Sequence, residues 1–372
     1  MNIFRVATTV SLLLFLPLPL VVAEDSFDDP NIQVTVEPPV LVPARFGAVL
    51  QKLADGSLFV DGNRSTDGGK TWVHSPAAVR ASFHDQWKQT TGCVLRDGTY
   101  IGLGSQVEFP KLDQRILKVY RSTDNLETME GPFDAPLNIP RGTGGYSETG
   151  EYEGGVWVDH GMIERADGTL ITTCYGYWEG DQNYSYLHRY VPELKIYKYR
   201  TWVIGSTDGG KSWKVQGGPG YWPHLGPEGM CEPGLTELAG GDLLMVMRNG
   251  EWGEPIFQTL SSDGGETWSK PEKLPASGVW PTPCMMSNGL LVVGVGRSES
   301  PNFYLWVSPD GRGETWTSRT LIAKGGKGYA NVIELAPDLL LYSGYSKKQR
   351  ALQVWRIQVQ RLKGKAAQGE SG

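Results

Sequence analysis

A short motif of the form Ser-x-Asp-x-Gly-x-x-Trp recurs along the chain and constrains its fold more than any other feature. In such a motif the Asp carboxylate can accept backbone N–H groups, glycines can take positive φ, and the Trp ring can fill the space beneath a tight turn. Repetition of one turn-forming unit predicts a repeat architecture. Three copies are intact, a fourth has one inserted residue and a fifth is eroded: Ser65, Asp67, Gly69, Trp72; Ser206, Asp208, Gly210, Trp213; Ser261, Asp263, Gly265, Trp268; Ser308, Asp310, Gly313, Trp316; and Ser122, Asp124, Leu126, Met129.

A second repeated pattern surrounds these motifs, in which an apolar strand, a turn of the Asp-Gly type and another apolar strand follow one another. Six copies predict an all-β fold, a six-bladed β-propeller of four-stranded antiparallel blades. The last blade continues through residues 352–359, and Ile32–Val36 is well placed to add its outer strand and so close the ring. The six copies span residues 48–60, 93–101, 161–171, 234–244, 284–292 and 330–341, of which the last lacks the motif.

The ends of the 372-residue chain differ from its body. Residues 1–23 begin with Met1 and Arg5, continue with an apolar stretch and end on small residues before Glu24, which predicts a secretory signal peptide and a secreted or periplasmic protein. An uncleaved membrane anchor is the alternative. Residues 24–362 are predicted to form a single propeller domain, and residues 363–372 a disordered tail.

Charge and cysteine content limit the partners. The formal net charge of −6 gives no electrostatic footprint for nucleic acid, so an anionic substrate has to meet a local basic site. The four cysteines show no metal-binding spacing. In an oxidising compartment they allow one or two disulfide bridges, but the sequence does not choose among three pairings. They are Cys93, Cys174, Cys231 and Cys284.

With these repeated turns, known as Asp-boxes, the chain resembles the sialidase (neuraminidase) superfamily of six-bladed propellers. That resemblance implies a clamp of three arginines for the carboxylate of the substrate sugar. Arg45 precedes the first repeated phrase, Arg248 follows the fourth, and Arg297 ends the first hairpin of the fifth. A planar, permanently charged guanidinium binds a carboxylate bidentately, which suits such a clamp.

The same resemblance implies a pair of catalytic residues. Glu232 precedes the fourth phrase, where the family has a glutamate, and Tyr329 precedes the sixth, where the family has its nucleophilic tyrosine. A neutral tyrosine avoids repulsion by the substrate carboxylate, and an adjacent glutamate can draw off the phenolic proton as the oxygen attacks the anomeric carbon.

The general acid/base departs from the family pattern. The loop that carries this aspartate is reduced here to residues 61–64, in which Asp61 is the remaining free carboxylate. Neighbouring loops offer substitutes, and the insertions at residues 142–155 and 175–199 are natural substrate-contacting loops. The substitutes are Asp85 beside His84, Glu108, Asp159 beside His160, Glu179 and Asp181, the two histidines being expected to be structural.

Three functions follow from the sequence. The first is an exo-sialidase-like glycoside hydrolase that cleaves terminal sialic or related acidic sugars without a metal or organic cofactor. The second is a hydrolase or lyase of the same fold that acts on polysaccharides containing uronic acids. The third is a propeller that binds glycans without turnover, because a fold does not fix a function.

Overall fold

The fold is described from a computed structural model, which covers residues 28–74, 91–111, 114–142, 155–158, 160–186, 189, 197–250, 254–296, 302–326 and 328–362. The predicted signal peptide and tail lie outside these ranges, so export and the domain boundaries stay predictions. No helix among the described residues combines the length and apolar character needed to cross a membrane.

The described chain is built from strands, as the sequence predicts. All six predicted hairpins are present, and each pairs its two strands antiparallel. In chain order the strands are β1 (Ile32–Val36), β2 (Val40–Val42), β3 (Gln51–Lys52), β4 (Leu58–Val60), β5 (Asn63–Ser65), β6 (Val73–His74), β7 (Thr91–Val94), β8 (Tyr100–Leu103), β9 (Glu108–Lys111), β10 (Gln114–Ser122), β11 (Glu130–Asn138), β12 (Val156–Val158), β13 (Ile163–Glu164), β14 (Leu170–Gly176), β15 (Arg200–Ser206), β16 (Trp213–Gly217), β17 (Cys231–Glu237), β18 (Leu243–Arg248), β19 (Pro255–Ser261), β20 (Glu272–Ser277), β21 (Val279–Met285), β22 (Leu291–Gly296), β23 (Phe303–Ser308), β24 (Ser318–Ala323), β25 (Ala330–Ala336), β26 (Leu339–Ser346) and β27 (Ala351–Arg361).

These strands form five hydrogen-bonded sheets. Three sheets are four-stranded meanders, β3 to β6, β17 to β20 and β21 to β24, and a ten-stranded sheet contains two halves joined by the parallel pair β11 and β16. The fifth sheet has the order β1-β27-β26-β25, with β2 also on β27. The predicted outer strand is therefore confirmed, because β1 pairs with β27 along its whole length, from Ile32 opposite Arg361 to Val36 opposite Ile357.

The first strands of successive sheets lie side by side. Apolar side chains fill the space between the sheets; Val246 of β18 and Val293 of β22, for example, belong to one buried hydrophobic cluster. The six-bladed closure of the ring stays a prediction, and the observed contacts follow the order that it requires. In that order β3 contacts β7, β13 contacts β17, β17 contacts β21, β21 contacts β25 and β25 contacts β3. Between the segment after β8 and strand β12, the Val158 N–H donates to the Ser105 carbonyl at 2.9 Å.

The Asp-box turns have the predicted geometry. In the copy at Asp208, the carboxylate accepts the N–H groups of Lys211 and Ser212 at 3.0 Å, and the Ser206 hydroxyl accepts the Gly210 N–H at 2.8 Å. The ring of Trp213 is buried and donates to the Gly210 carbonyl. The hydroxyl of Ser212 is the main cause that lowers the pKa of Asp208 to about 2. Gly210 has φ +86°, which favours glycine.

The eroded copy keeps the same turn. Asp124 accepts the Thr128 N–H at 2.9 Å, and the Leu126 N–H donates to the Ser122 hydroxyl. Leu126 takes φ +63° where the intact copies have glycine, and its side chain is buried. The hydrogen bonds of serine and aspartate are therefore enough to hold the turn.

Candidate active site

Arg248 lies at the end of β18 and is held by two carboxylates. Its Nη1 donates to Glu232 Oε1 and its Nη2 to Glu228 Oε2, both at 2.7 Å, while Nε donates to the Gly250 carbonyl at 2.6 Å. Burial lowers the pKa of Arg248, but the negative charges of Glu232 and Glu228 outweigh it and hold this pKa well above its ordinary value. The Tyr329 phenol contributes to the same rise and so lies within electrostatic range of the guanidinium.

A β-bulge sets the direction of Glu232. The register of β17 against β18 shifts between Cys231 and Gly234, and Glu232 lies in this bulge with φ +45°. Pro233 follows and has no N–H for the sheet ladder, which suits a bulge. Cys231 pairs directly with Arg248 across the hairpin. Glu232, the residue after Cys231, therefore meets Arg248 at one end of the sheet.

Trp280 connects Glu232 to Tyr329. The Trp280 backbone N–H donates to Glu232 Oε2 at 2.9 Å. Its indole stacks on the ring of Tyr329, with centroids 4.4 Å apart and an interplanar angle of 23°. The two residues predicted to act together, Glu232 and Tyr329, are thus linked through one tryptophan.

His160 covers the other face of Trp280. The imidazole stacks on the indole with centroids 4.4 Å apart, and its Nε2 lies 2.9 Å from the Pro281 carbonyl oxygen. Burial lowers the pKa of His160 to about 4, so the imidazole is neutral near pH 7. The structural role expected of this histidine agrees with its buried position.

Arg45 and Asp61 bind each other. Both oxygens of Asp61 accept from Arg45: Oδ2 from the backbone N–H at 2.6 Å, and Oδ1 from Nε at 2.9 Å and Nη2 at 2.7 Å. The next residue, Phe46, contacts the Tyr329 ring at a centroid distance of 5.1 Å. The Arg45 side chain remains 49% exposed and is available to a ligand.

A chain of described contacts therefore connects five of the six residues expected from the sequence. It runs from Asp61 and Arg45 through the neighbouring Phe46 to Tyr329, and through Trp280 to Glu232 and Arg248. The sixth, Arg297, lies outside the described residues. Whether these side chains act in catalysis stays a prediction.

The acids offered as substitutes for Asp61 are bound to basic side chains of their own where the structure describes them. Glu108 is bound to Lys118 at 3.1 Å, and Glu179 lies 3.8 Å from Arg141. Asp181 is buried and bound to Arg200 at 3.1 Å; burial raises its pKa despite this arginine. Asp85 with His84, and Asp159, lie outside the described residues.

Two residues of the site, Glu228 and Trp280, are not among those expected from the sequence. Glu228 lies in a loop, where its backbone carbonyl accepts the Tyr199 N–H at 2.9 Å. No sequence motif marks this glutamate. Trp280 did have a signal. Val279-Trp280-Pro281 repeats Cys231-Glu232-Pro233 one sheet later, and both segments form a bulge in the first strand.

An aromatic cluster borders Glu228. The rings of Tyr177 and Tyr199 stack 4.6 Å apart and their hydroxyls are hydrogen-bonded at 2.8 Å, while Trp157 stacks on Tyr175 at 5.6 Å. Burial raises the pKa of Tyr177 to about 12, with smaller contributions from neighbours that include Glu228. Tyr175, Tyr177 and Tyr199 belong to the insertion expected to contact substrate.

No disulfide connects the four cysteines, all of which lie among the described residues. Cys231 is buried beside Glu232. The bridges that an oxidising compartment would allow are therefore not part of this structure.

Known families and structures resemble this chain in its repeats and fold. A family model described as a BNR repeat-like domain matches residues 154–341. No curated protein matches the sequence.

Several solved structures share the fold. A protein of unknown function from Dyadobacter fermentans is 17% identical with a TM-score of 0.65, and the match covers 89% of this chain and 100% of that one. A Hadza microbial sialidase is 17% identical with a TM-score of 0.59, covering 86% of this chain and 65% of that one. An α-L-arabinanase from Penicillium chrysogenum, in complex with arabinobiose, is 16% identical with a TM-score of 0.60, covering 89% and 99%.

Proposed function

Since the chain belongs to the family of BNR repeat-like domains, we propose that it is a six-bladed propeller enzyme, a retaining exo-sialidase-like glycoside hydrolase that removes terminal sialic or related acidic sugars from glycans. The observation that supports this most is the connection of Glu232 to both Arg248 and, through Trp280, Tyr329. These are the base, the cation and the nucleophile that such a reaction requires.

In the first step the Tyr329 oxygen attacks the anomeric carbon while Glu232 accepts the phenolic proton. The bond to the leaving oxygen breaks, and that oxygen takes a proton from Asp61. In the second step water attacks the same carbon, its proton returns to Asp61, and the tyrosine oxygen leaves with the proton held by Glu232. Two inversions give net retention.

The substrate carboxylate binds to the arginines. A guanidinium has five N–H groups, of which the three hydrogen bonds of Arg248 described above use one each on Nε, Nη1 and Nη2. One N–H on each Nη is left for a ligand. Glu232 and Glu228 hold the guanidinium in place before substrate arrives, which reduces the entropy lost on binding.

A second candidate is hydrolysis of neutral arabinofuranosyl units, because the similar Penicillium chrysogenum structure is an α-L-arabinanase. The charge balance of the described site favours it. Two cations, Arg45 and Arg248, face three carboxylates, Asp61, Glu228 and Glu232, a balance of −1 that opposes an anionic sugar unless residues outside the described ranges add positive charge.

Release of a fluorogenic phenol from an N-acetylneuraminic acid α-glycoside tests the proposal. We expect turnover by the wild type and a loss of at least about 1,000-fold in kcat with Tyr329→Phe. Tyr345→Phe is the matched control, because Tyr345 also contacts Phe46, at 5.7 Å, but was not assigned a role in the reaction, and should retain activity.

The other outcomes separate the alternatives. Turnover of arabinan oligosaccharides alone would favour the second candidate. Turnover of uronate polymers alone would change the substrate class, and tight glycan binding without turnover by any of these assays would show a binding module.

A further inference from the structure

Three aromatic rings, attached to three different sheets, form one stack that includes the proposed nucleophile Tyr329. His160 precedes β13, Trp280 lies in β21, and Tyr329 precedes β25, with both centroid distances at 4.4 Å and both interplanar angles near parallel, 22° and 23°. Trp280 is the middle ring and is 2% exposed. A rotation of its indole would therefore disturb both neighbours.

The backbone of Trp280 is held in an unusual conformation. Its φ of +51° lies in the left-handed region that favours glycine, as does the φ of +45° at Glu232. Both residues occupy the same place in their sheets, one residue into the first strand and within a bulge. Bulges turn a side chain out of the regular alternation of a strand, and here they turn two side chains toward the same site.

We propose that Trp280 is a positioning residue that sets the orientation of the Tyr329 phenol relative to the Glu232 carboxylate. The inference rests on the proposed function, in which these two groups exchange a proton. Trp280 is suited to this role because its two halves hold different partners: the backbone N–H holds Glu232 Oε2, and the indole face holds the Tyr329 ring.

The surroundings of Trp280 differ from those of a tryptophan that only fills a core. Both faces of the indole are covered by rings with polar ends rather than by aliphatic side chains. Its Nε1 is buried and has no hydrogen-bond partner among the described residues. His160 supports the rear face, and its Nε2 is tied to the carbonyl of Pro281, the residue that follows Trp280.

Tyr329 is restricted from its other side as well. Phe46 contacts its ring at 5.1 Å, and a Cβ at Gly328 would press against the Phe46 ring. Gly328 also has φ +116°. The Tyr329 ring thus contacts Phe46 as well as Trp280, which restricts its rotation.

The test compares Trp280→Leu and Trp280→Phe with a matched control, Trp306→Leu. Trp306 lies in β23 of the same sheet, is 3% exposed and belongs to a hydrophobic cluster between the sheet of β17 to β20 and the sheet of β21 to β24. With the best sugar substrate we expect Trp280→Leu to lower kcat about 100-fold with KM within about twofold, because misplacement of a reacting group affects the chemical step. Trp280→Phe should recover most of kcat, and Trp306→Leu should change kcat less than about twofold despite a similar loss of thermal stability.

A second readout does not depend on turnover. In protein labelled with ring-¹³C tyrosine, the Tyr329 signal is assigned by its loss in Tyr329→Phe, and the indole above it shifts its ring protons upfield. We expect Trp280→Leu to remove this shift and Trp306→Leu to leave it in place.

The outcomes distinguish this inference from the proposed function. If Tyr329→Phe retains turnover, the proposed function fails, and the positioning role that rests on it fails with it. If Tyr329→Phe is inactive but Trp280→Leu matches Trp306→Leu in kcat, or leaves the Tyr329 signal unchanged, the positioning role is overturned.

Discussion

Arg248 Nη1 donates to Glu232 Oε1 at 2.7 Å, and the two side chains share a buried position at one end of the sheet formed by β17 to β20. Glu228 occupies the other Nη of the same guanidinium. The Arg248 guanidinium therefore holds two carboxylates that would otherwise repel each other. It binds Oε1 of Glu232, while Oε2 accepts the Trp280 N–H.

Replacement of Arg248 by methionine should cost about 3 to 5 kcal/mol of unfolding free energy, because two buried carboxylates lose their counter-charge. Urea unfolding at pH 7 measures this loss. Arg45→Met is the control, since the pair of Arg45 with Asp61 is half-exposed on the arginine side and should cost under about 1 kcal/mol. Equal losses in the two variants would contradict the buried network.

Asp61→Asn tests the proton donor. If Asp61 protonates the leaving oxygen, kcat should fall by about 10² to 10⁴ with a sugar leaving group and far less with an acidic phenol, which leaves without a proton. Steady-state kinetics on both substrates gives the comparison. A rise in KM with unchanged kcat would instead mean that Asp61 serves to hold Arg45, through the bonds described above.

His160 should make stability depend on pH. Burial lowers its pKa to about 4, below the ordinary 6.5 of the unfolded chain, so the unfolded chain binds more protons between these values. The stability from neutral His160 is complete above pH 6.5 and is lost as pH falls toward 4, by about 3 kcal/mol in all. Unfolding of His160→Gln across this window should lack that slope, and His224→Gln, at an exposed histidine, should keep it. A slope unaffected by His160→Gln would refute this assignment.

Each Asp-box turn should make its own contribution to the free energy of unfolding. Asp208→Asn weakens the charge-assisted hydrogen bonds to Lys211 and Ser212 and should lower the unfolding free energy by about 1 to 2 kcal/mol. Thermal unfolding measures the effect. Asp242→Asn, at a half-buried aspartate in the turn before β18, is the control and should cost less; the reverse order would count against the role of these turns.

The sequence predicted the parts of the structure that depend on local chemistry. The Asp-box at Asp208 closes through residues within four positions of one another, so its hydrogen bonds can be read from the motif. Glu232 and Arg248 were expected from the resemblance to the sialidases, and their roles stay predictions. They belong to one hairpin, whose register brings Cys231 opposite Arg248.

Contacts between sheets were not predictable in the same way. The stack of Trp280 on Tyr329 joins residues from adjacent sheets, and its geometry depends on a bulge with positive φ that no sequence motif encodes. The pairing of Asp61 with Arg45 was likewise missed, because each residue was assigned its own role in the site. Comparison of Trp280 with Glu232 in the repeat would have identified the tryptophan.

The most direct test of the central claim is mass spectrometry of a trapped intermediate. An acidic sugar fluoride with a second fluorine next to the anomeric carbon forms the covalent intermediate but slows its hydrolysis. We predict the mass of one sugar on the peptide that contains Tyr329, absent from Tyr329→Phe. A sugar attached to Glu228 or Glu232 instead, or turnover that persists in Tyr329→Phe without an adduct, would contradict the account.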